Sequence, residues 1–108
     1  MNTLQVPSTE IVFGFKALSD PLRVQIIELL RNREMCVCDL CDHLDIAQSK
    51  LSFHLKTLRE SGLICGRQEG RWMYYSLNLS QFARLERYLA EVRRYSSILP
   101  ARVCPPAE

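Results

Sequence analysis

The chain has 108 residues, of which 47% are hydrophobic and 24% charged, and a formal net charge of +2. That size suggests one domain with a modest core, and the composition is that of an ordinary globular protein. No apolar run approaches the roughly 20 residues of a membrane span, and "MNTLQVPSTE" lacks the basic-then-apolar order of an export signal, so a cytoplasmic protein with reduced thiols and no membrane partner is expected.

Ser8 and Thr9 are suited to cap a first helix running to Leu18, with Ile11, Val12, Phe15 and Leu18 on its apolar face. "SDPLR" restarts the chain, with Asp20 as cap and Pro21 at the first helical position. An apolar helix through Leu22, Ile26, Ile27, Leu29 and Leu30 then reaches about Asn32. A short third helix is predicted from Val37 to Leu44, with Asp39 placed to support its start. "DIAQ" reads as a tight turn. A fourth helix follows from Gln48 to Ser61 on a buried stripe of Leu51, Leu55 and Leu58, ended by Gly62 as a left-handed cap. Two short helices joined by a few residues make a helix-turn-helix candidate.

The period then changes. "LICGRQ" and "RWMYYSL" are β-prone and meet across Glu69-Gly70, which predicts a hairpin. Ser80 is placed to cap a last helix reaching about Tyr95. Phe82, Leu85, Leu89 and Val92 recur there at spacings of 3, 4 and 3, the rhythm of a helix packed on another helix, whether of a partner subunit or of the same chain. The tail "LPARVCPPAE" holds three prolines and is expected to be irregular. The expected fold is mainly α with a small β-hairpin, a winged helix-turn-helix domain over residues 1–98 followed by a tail over 99–108.

Charge is unevenly spread. Glu34 to Asp45 carries four carboxylates and no Lys or Arg, a local −4, whereas Ile46 to Tyr75 carries five basic residues against two acidic ones. A basic half beside an acidic, thiol-rich half suggests an anionic partner on one side and a cation on the other. On the fourth helix Gln48, Ser49, Lys50, Ser52, Lys56 and Arg59 project mostly away from the leucine stripe. Such side chains suit base edges and phosphates in a major groove, and Arg67 and Arg71 beside the hairpin turn suit a wing along the DNA backbone. Phe53 is suited to a thymine methyl or to a gap against the wing. His54 is suited to DNA or to packing at the helix edge.

"ALSDPLRVQIIELL", "CVCDLC", "SKLSFHLKTLRESGLI" and "EGRWMYYSL" together resemble the ArsR/SmtB family of winged-helix metalloregulatory repressors. "CVCDLC" at the start of the third helix resembles the arsenic- and antimony-sensing branch. The resemblance runs from about Val12 to Tyr95, with the motifs in the expected order. It implies a homodimer that represses its operon from double-stranded operator DNA and leaves when metal binds, not an enzyme. It also implies an interface between first and last helices, involving Val12 and Phe15 on one and Phe82, Leu85, Leu89 and Val92 on the other. Three departures stand out. Ala47 replaces the Ser that often caps the recognition helix. Phe53 replaces a common basic residue. The last helix has no His for the zinc site that some relatives carry.

Cys36, Cys38 and Cys41 are the candidate metal ligands. Thiolates favour thiophilic ions. Trivalent arsenic or antimony takes three sulfurs in a pyramid, whereas a closed zinc site wants a fourth ligand, for which His43, Cys65 or Cys104 would have to serve. Cadmium or lead with an added thiol also fits, and so does thiol oxidation in place of metal binding. A small thiol oxidoreductase using "CDLC" lacks the expected βαβ surroundings. Cys65 otherwise reads as structural and Cys104 as a free surface thiol. A helix start lowers thiol pKa, while Asp39 and Asp42 oppose this. Cys38 and Cys41 share a helix face with Cβ atoms about 5–6 Å apart, whereas bonds of roughly 2.3 Å to one ion draw the sulfurs closer. Gathering all three is therefore expected to unwind or tilt the start of the third helix.

Overall fold

In the computed structural model, which describes residues 8–106, the order is α1 (Thr9–Ala17), α2 (Pro21–Leu29), β1 (Met35–Cys36), α3 (Val37–Leu44), α4 (Gln48–Glu60), β2 (Ile64–Glu69), β3 (Trp72–Leu77) and α5 (Leu79–Tyr95). The segment 1–7, which dominates the export-signal reading, and the last two residues of the tail lie outside the described residues. No helix among the described residues is long and apolar enough to cross a membrane. Residues 96–106 form neither helix nor strand.

The helix starts follow local chemistry. The Ser8 hydroxyl accepts from the Ile11 N–H at 3.3 Å. Asp20 accepts from the N–H groups of Leu22 at 2.8 Å and Arg23 at 3.2 Å, with Pro21 at the first helical position. Desolvation pushes the Asp20 carboxyl up, but the hydrogen bonds from Arg23 and Leu22 and the Arg23 charge outweigh it, and the net shift is downward. Three starts have no side-chain cap, those of α3, α4 and α5. Cys36 leads into α3 and Ala47 into α4, neither with a side chain bonded to the helix.

α4 ends in a Schellman motif. Leu63 N–H donates to the Leu58 carbonyl at 3.1 Å and Gly62 N–H to that of Arg59 at 3.0 Å. Gly62 supplies the required left-handed backbone at φ 80°. Leu58 and Leu63, the apolar pair that accompanies this motif, are both fully buried. Gly62→Ala is expected to cost about 1–2 kcal/mol, since an L side chain resists this conformation; urea denaturation measures it.

The sheet has three antiparallel strands in the order β1-β3-β2. The predicted hairpin is present, with Glu69 opposite Trp72 and Gly70 at φ 62° in the turn. β1 was not expected. It is two residues long, too short for any periodic signal, and pairs Met35 with Tyr75 and Cys36 with Tyr74. It also explains why α2 stops at Leu29 rather than near Asn32, because the chain must bend back to bring Met35 onto the sheet. α5 begins before Ser80. Asn78 occupies the cap position but spends its side chain elsewhere, donating to the Gly62 carbonyl at 2.8 Å and accepting from the Ser80 hydroxyl at 2.8 Å.

Ile26, Met35, Leu40, Leu51, Leu58 and Leu63 are the largest fully buried side chains. Each contributes about 1.5–3 kcal/mol on leaving water. α3 and α2 pack against α4, and α1 packs against α5. Buried Gln81 ties three helices together, its Nε2 donating to the carbonyls of Glu10 at 3.0 Å and Ser61 at 3.1 Å.

Candidate nucleic-acid interface and thiol cluster

α4 turns Leu51, His54, Leu55 and Leu58 into the core and leaves Gln48, Ser49, Lys50, Ser52, Phe53, Lys56 and Arg59 exposed. The exposed face has two flanks. Ser52, Lys56 and Arg59, on successive turns, line a notch of about 450 Å³ between α4 and the sheet, together with Val37, Glu60 and Tyr75. On the other flank Phe53 shares a cavity of about 340 Å³ with Phe13, Lys16 and Arg23. Phe53 therefore does not fill a gap against the wing, and at 65% exposure it is available to a base.

His54 is buried. Its Nδ1 lies 3.1 Å from Arg23 Nη1, and Arg23 Nε donates to the Ala17 carbonyl at 2.7 Å. A guanidinium can only donate, so Nδ1 is the acceptor. His54 is thus withdrawn from the DNA-facing set and joins α4 to α2 and the end of α1.

Arg67 departs from expectation in another way. Its guanidinium meets Glu34 through Nε at 3.0 Å and Nη2 at 2.8 Å, meets Glu69 through Nη1 at 2.7 Å, and lies 5.0 Å from the Tyr74 ring centroid. This cation is committed within the chain, which leaves Arg71, exposed at the hairpin turn, as the wing's free cation among the described residues. The hydrogen bond from Arg67 holds the Glu34 carboxyl below its ordinary value despite some desolvation. A lowered carboxyl contributes stability that is complete above its ordinary value of 4.5 and is lost as pH falls through the lower folded-state value. An NMR titration of the Arg67 Nε–H is expected to show a transition below pH 4.5 that Glu34→Gln abolishes.

All five cysteines are free thiols, with Cys38, Cys65 and Cys104 exposed and Cys36 and Cys41 half-buried. Cys65 sits in the β2 ladder opposite Ser76, outside the core. Cys36 is the last residue of β1, and Cys38 and Cys41 lie in the first turns of α3. Among the described residues no three His, Cys, Asp or Glu side chains are already gathered closely enough to hold a metal ion. As a donor set the three thiols fit a thiophilic ion; as a geometry they must first be drawn together. Desolvation raises the Cys41 thiol above its ordinary pKa, and the neighbouring Cys38 and Asp42 push it further.

Of the apolar residues expected between subunits, Leu85 is buried within the chain against Gly14, where a Cβ would meet Leu85 Cδ2 at 2.8 Å. Phe15 packs edge-on against Tyr88 with centroids 6.0 Å apart, and Phe82 is half-buried. Val12, Leu89 and Val92 stay exposed.

The profile of bacterial regulatory proteins of the arsR family matches residues 20–65. The arsenical resistance operon repressor of Escherichia coli (strain K12) is 51% identical over 65 residues, 59% of this chain and 56% of that protein. The chain spans little more than half the length of such curated relatives. Among solved structures, an ArsR family transcriptional regulator superposes with a TM-score of 0.74 at 27% identity, covering 84% of this chain and 95% of that one. A possible transcriptional regulator for arsenical resistance gives a TM-score of 0.67 at 31% identity, covering 72% and 81%. These relatives and this fold are those of DNA-binding transcriptional regulators, not enzymes. With a helix-turn-helix in α3 and α4, a wing in β2 and β3, and matches of this extent, the chain belongs to the arsR family of bacterial regulatory proteins.

Proposed function

We propose that this chain is a cytoplasmic, homodimeric repressor that holds the operator of a metalloid-resistance operon and releases it when trivalent arsenic or antimony is taken up by Cys36, Cys38 and Cys41. Residues 1–98 form the working domain and 99–108 the tail. The observation that carries this reading is the position of the thiols. The segment bearing them is paired to the wing through β1 and packed on α4 through α3, so drawing its sulfurs together disturbs both parts of the DNA-reading surface. The similarity to an arsenical resistance operon repressor supports the choice of inducer. So does the donor set, because three sulfurs suit a pyramidal ion and leave zinc one ligand short.

Gln48, Ser49 and Ser52 face base edges in this reading, and Lys50, Lys56, Arg59 and Arg71 face phosphates. Dimerisation is supported by the exposed apolar face of Val12, Leu89 and Val92. Residues 91–95 at the end of α5 are also all exposed.

The test is operator release followed by fluorescence anisotropy with arsenite, antimonite, cadmium, lead, zinc and peroxide. Arsenite or antimonite is expected to lower DNA affinity by about 5–150-fold. Cys38→Ser is expected to bind DNA as the wild type does and to ignore both. Release by peroxide alone, or a fully responsive Cys38→Ser protein, overturns the three-thiol reading.

A further inference from the structure

The notch between α4 and the sheet is lined by groups whose roles in the chain are unfilled. Lys56 and Arg59 have no carboxylate partner among the described residues, in contrast to Arg67, which has two. The Ser52 hydroxyl joins them on the same flank, with the Glu60 carboxylate as the one opposing charge. Arg59 is held in place. Its Cζ lies 6.0 Å from the centroid of Tyr75, above Gly66, where an added Cβ would come within 3.3 Å of that Cζ and 3.1 Å of Met73 Cε. The missing side chain at Gly66 leaves room for the guanidinium to lean toward the wing, with less freedom to lose when an anion arrives.

The lining on the thiol side is Val37. It stands between Cys36 and Cys38, packs partly on the core and borders the notch. Tyr75, also at the notch, is the β1 partner of Met35, one residue before Cys36. A rearrangement of residues 36–38 therefore displaces the notch lining directly, by contact rather than through the length of α4.

We propose that this notch seats one phosphate of the DNA backbone and that Val37 is the residue through which the thiol segment acts on that seat. The inference rests on the DNA-binding, thiol-regulated reading above. It adds a specific phosphate site and a specific lever to it.

The probe is a duplex selected from a random-sequence pool by the wild-type protein. Without any ion, replacing Lys56 and Arg59 together (Lys56→Gln with Arg59→Gln) is expected to reduce the slope of log affinity against log salt by about 0.9, the share of one phosphate, while Arg67→Gln leaves the slope unchanged. Val37→Ala is expected to take up arsenite with the wild-type stoichiometry, yet its arsenite-induced loss of DNA affinity shrinks by about 2–30-fold. Val37→Met, which crowds the lining from within, is expected to lower DNA affinity about tenfold with no ion present. An unchanged slope in the Lys56→Gln, Arg59→Gln double variant overturns the seat. Full arsenite release in Val37→Ala overturns the lever, and that variant decides alone if Val37→Met proves unfolded by its melting curve. A wild-type protein that selects no duplex, or ignores both arsenite and antimonite, overturns the function proposed above and this inference with it. A wild-type protein that responds while the variants behave as it does overturns this inference only.

Discussion

Leu40→Ala is expected to lower the unfolding free energy by about 2–5 kcal/mol and to weaken DNA binding with no ion present. Leu40 is the one buried residue of α3, and its side chain is fully enclosed. The rest of that helix touches the core only through half-buried Val37, Cys41 and Leu44. Removing three carbons there takes away the one fully buried anchor of α3. Against a typical total of about 5–15 kcal/mol, the loss is large. Urea denaturation gives the first quantity, and anisotropy at a temperature where the variant is folded gives the second. If the folded variant binds DNA with wild-type affinity, α3 does not support the orientation of α4, and the proposed route from thiols to DNA loses its mechanical basis.

Gln81→Met is the second large effect, at about 1–3 kcal/mol. The two side chains are close in length, so the change removes hydrogen bonds more than volume. Gln81 Nε2 serves two backbone carbonyls on different elements, Glu10 in α1 and Ser61 at the end of α4. Ser61 stands past the last residue of α4, where carbonyls have no partner in the helix's own ladder. Removing the donor leaves that carbonyl buried and unpaired beside Gly62, whose neighbourhood is the amide of Gln81. A thermal melt of Gln81→Met beside Gln81→Glu separates loss of the donor from loss of polarity. Both variants are expected to be destabilised, because neither a thioether nor an ionised carboxylate can donate.

The parts of the fold that local chemistry decides were readable from residue order. Asp20-Pro21 starts α2, Leu51, Leu55 and Leu58 face inward at helical spacing, Gly62 ends α4, and Gly70 turns the hairpin. The parts that escaped depend on residues far apart in the chain. Glu34 and Arg67 are separated by 33 positions and His54 and Arg23 by 31, and no periodicity announces either pair. Both pairs withdraw a residue from the face that composition alone would assign to DNA. β1 escaped because two residues carry no pattern, although it is what joins Cys36 to the wing. The three thiols were visible as a donor set. That a regular helix start does not gather all three was also legible from their spacing; the β1 strand that holds Cys36 was not.

From Glu34 to Asp45 only Met35 and Leu40 are buried. Six of the other ten positions are exposed, Cys38 among them, and exposed substitutions usually move stability by about half a kcal/mol or less. On the function proposed above, ion detection falls in a stretch that the hydrophobic interior constrains only at a few positions, beside a recognition helix that it constrains along a whole stripe. If that function holds, exchanging a few exposed side chains there would retune the ion that is sensed while leaving the buried residues that fold the domain untouched.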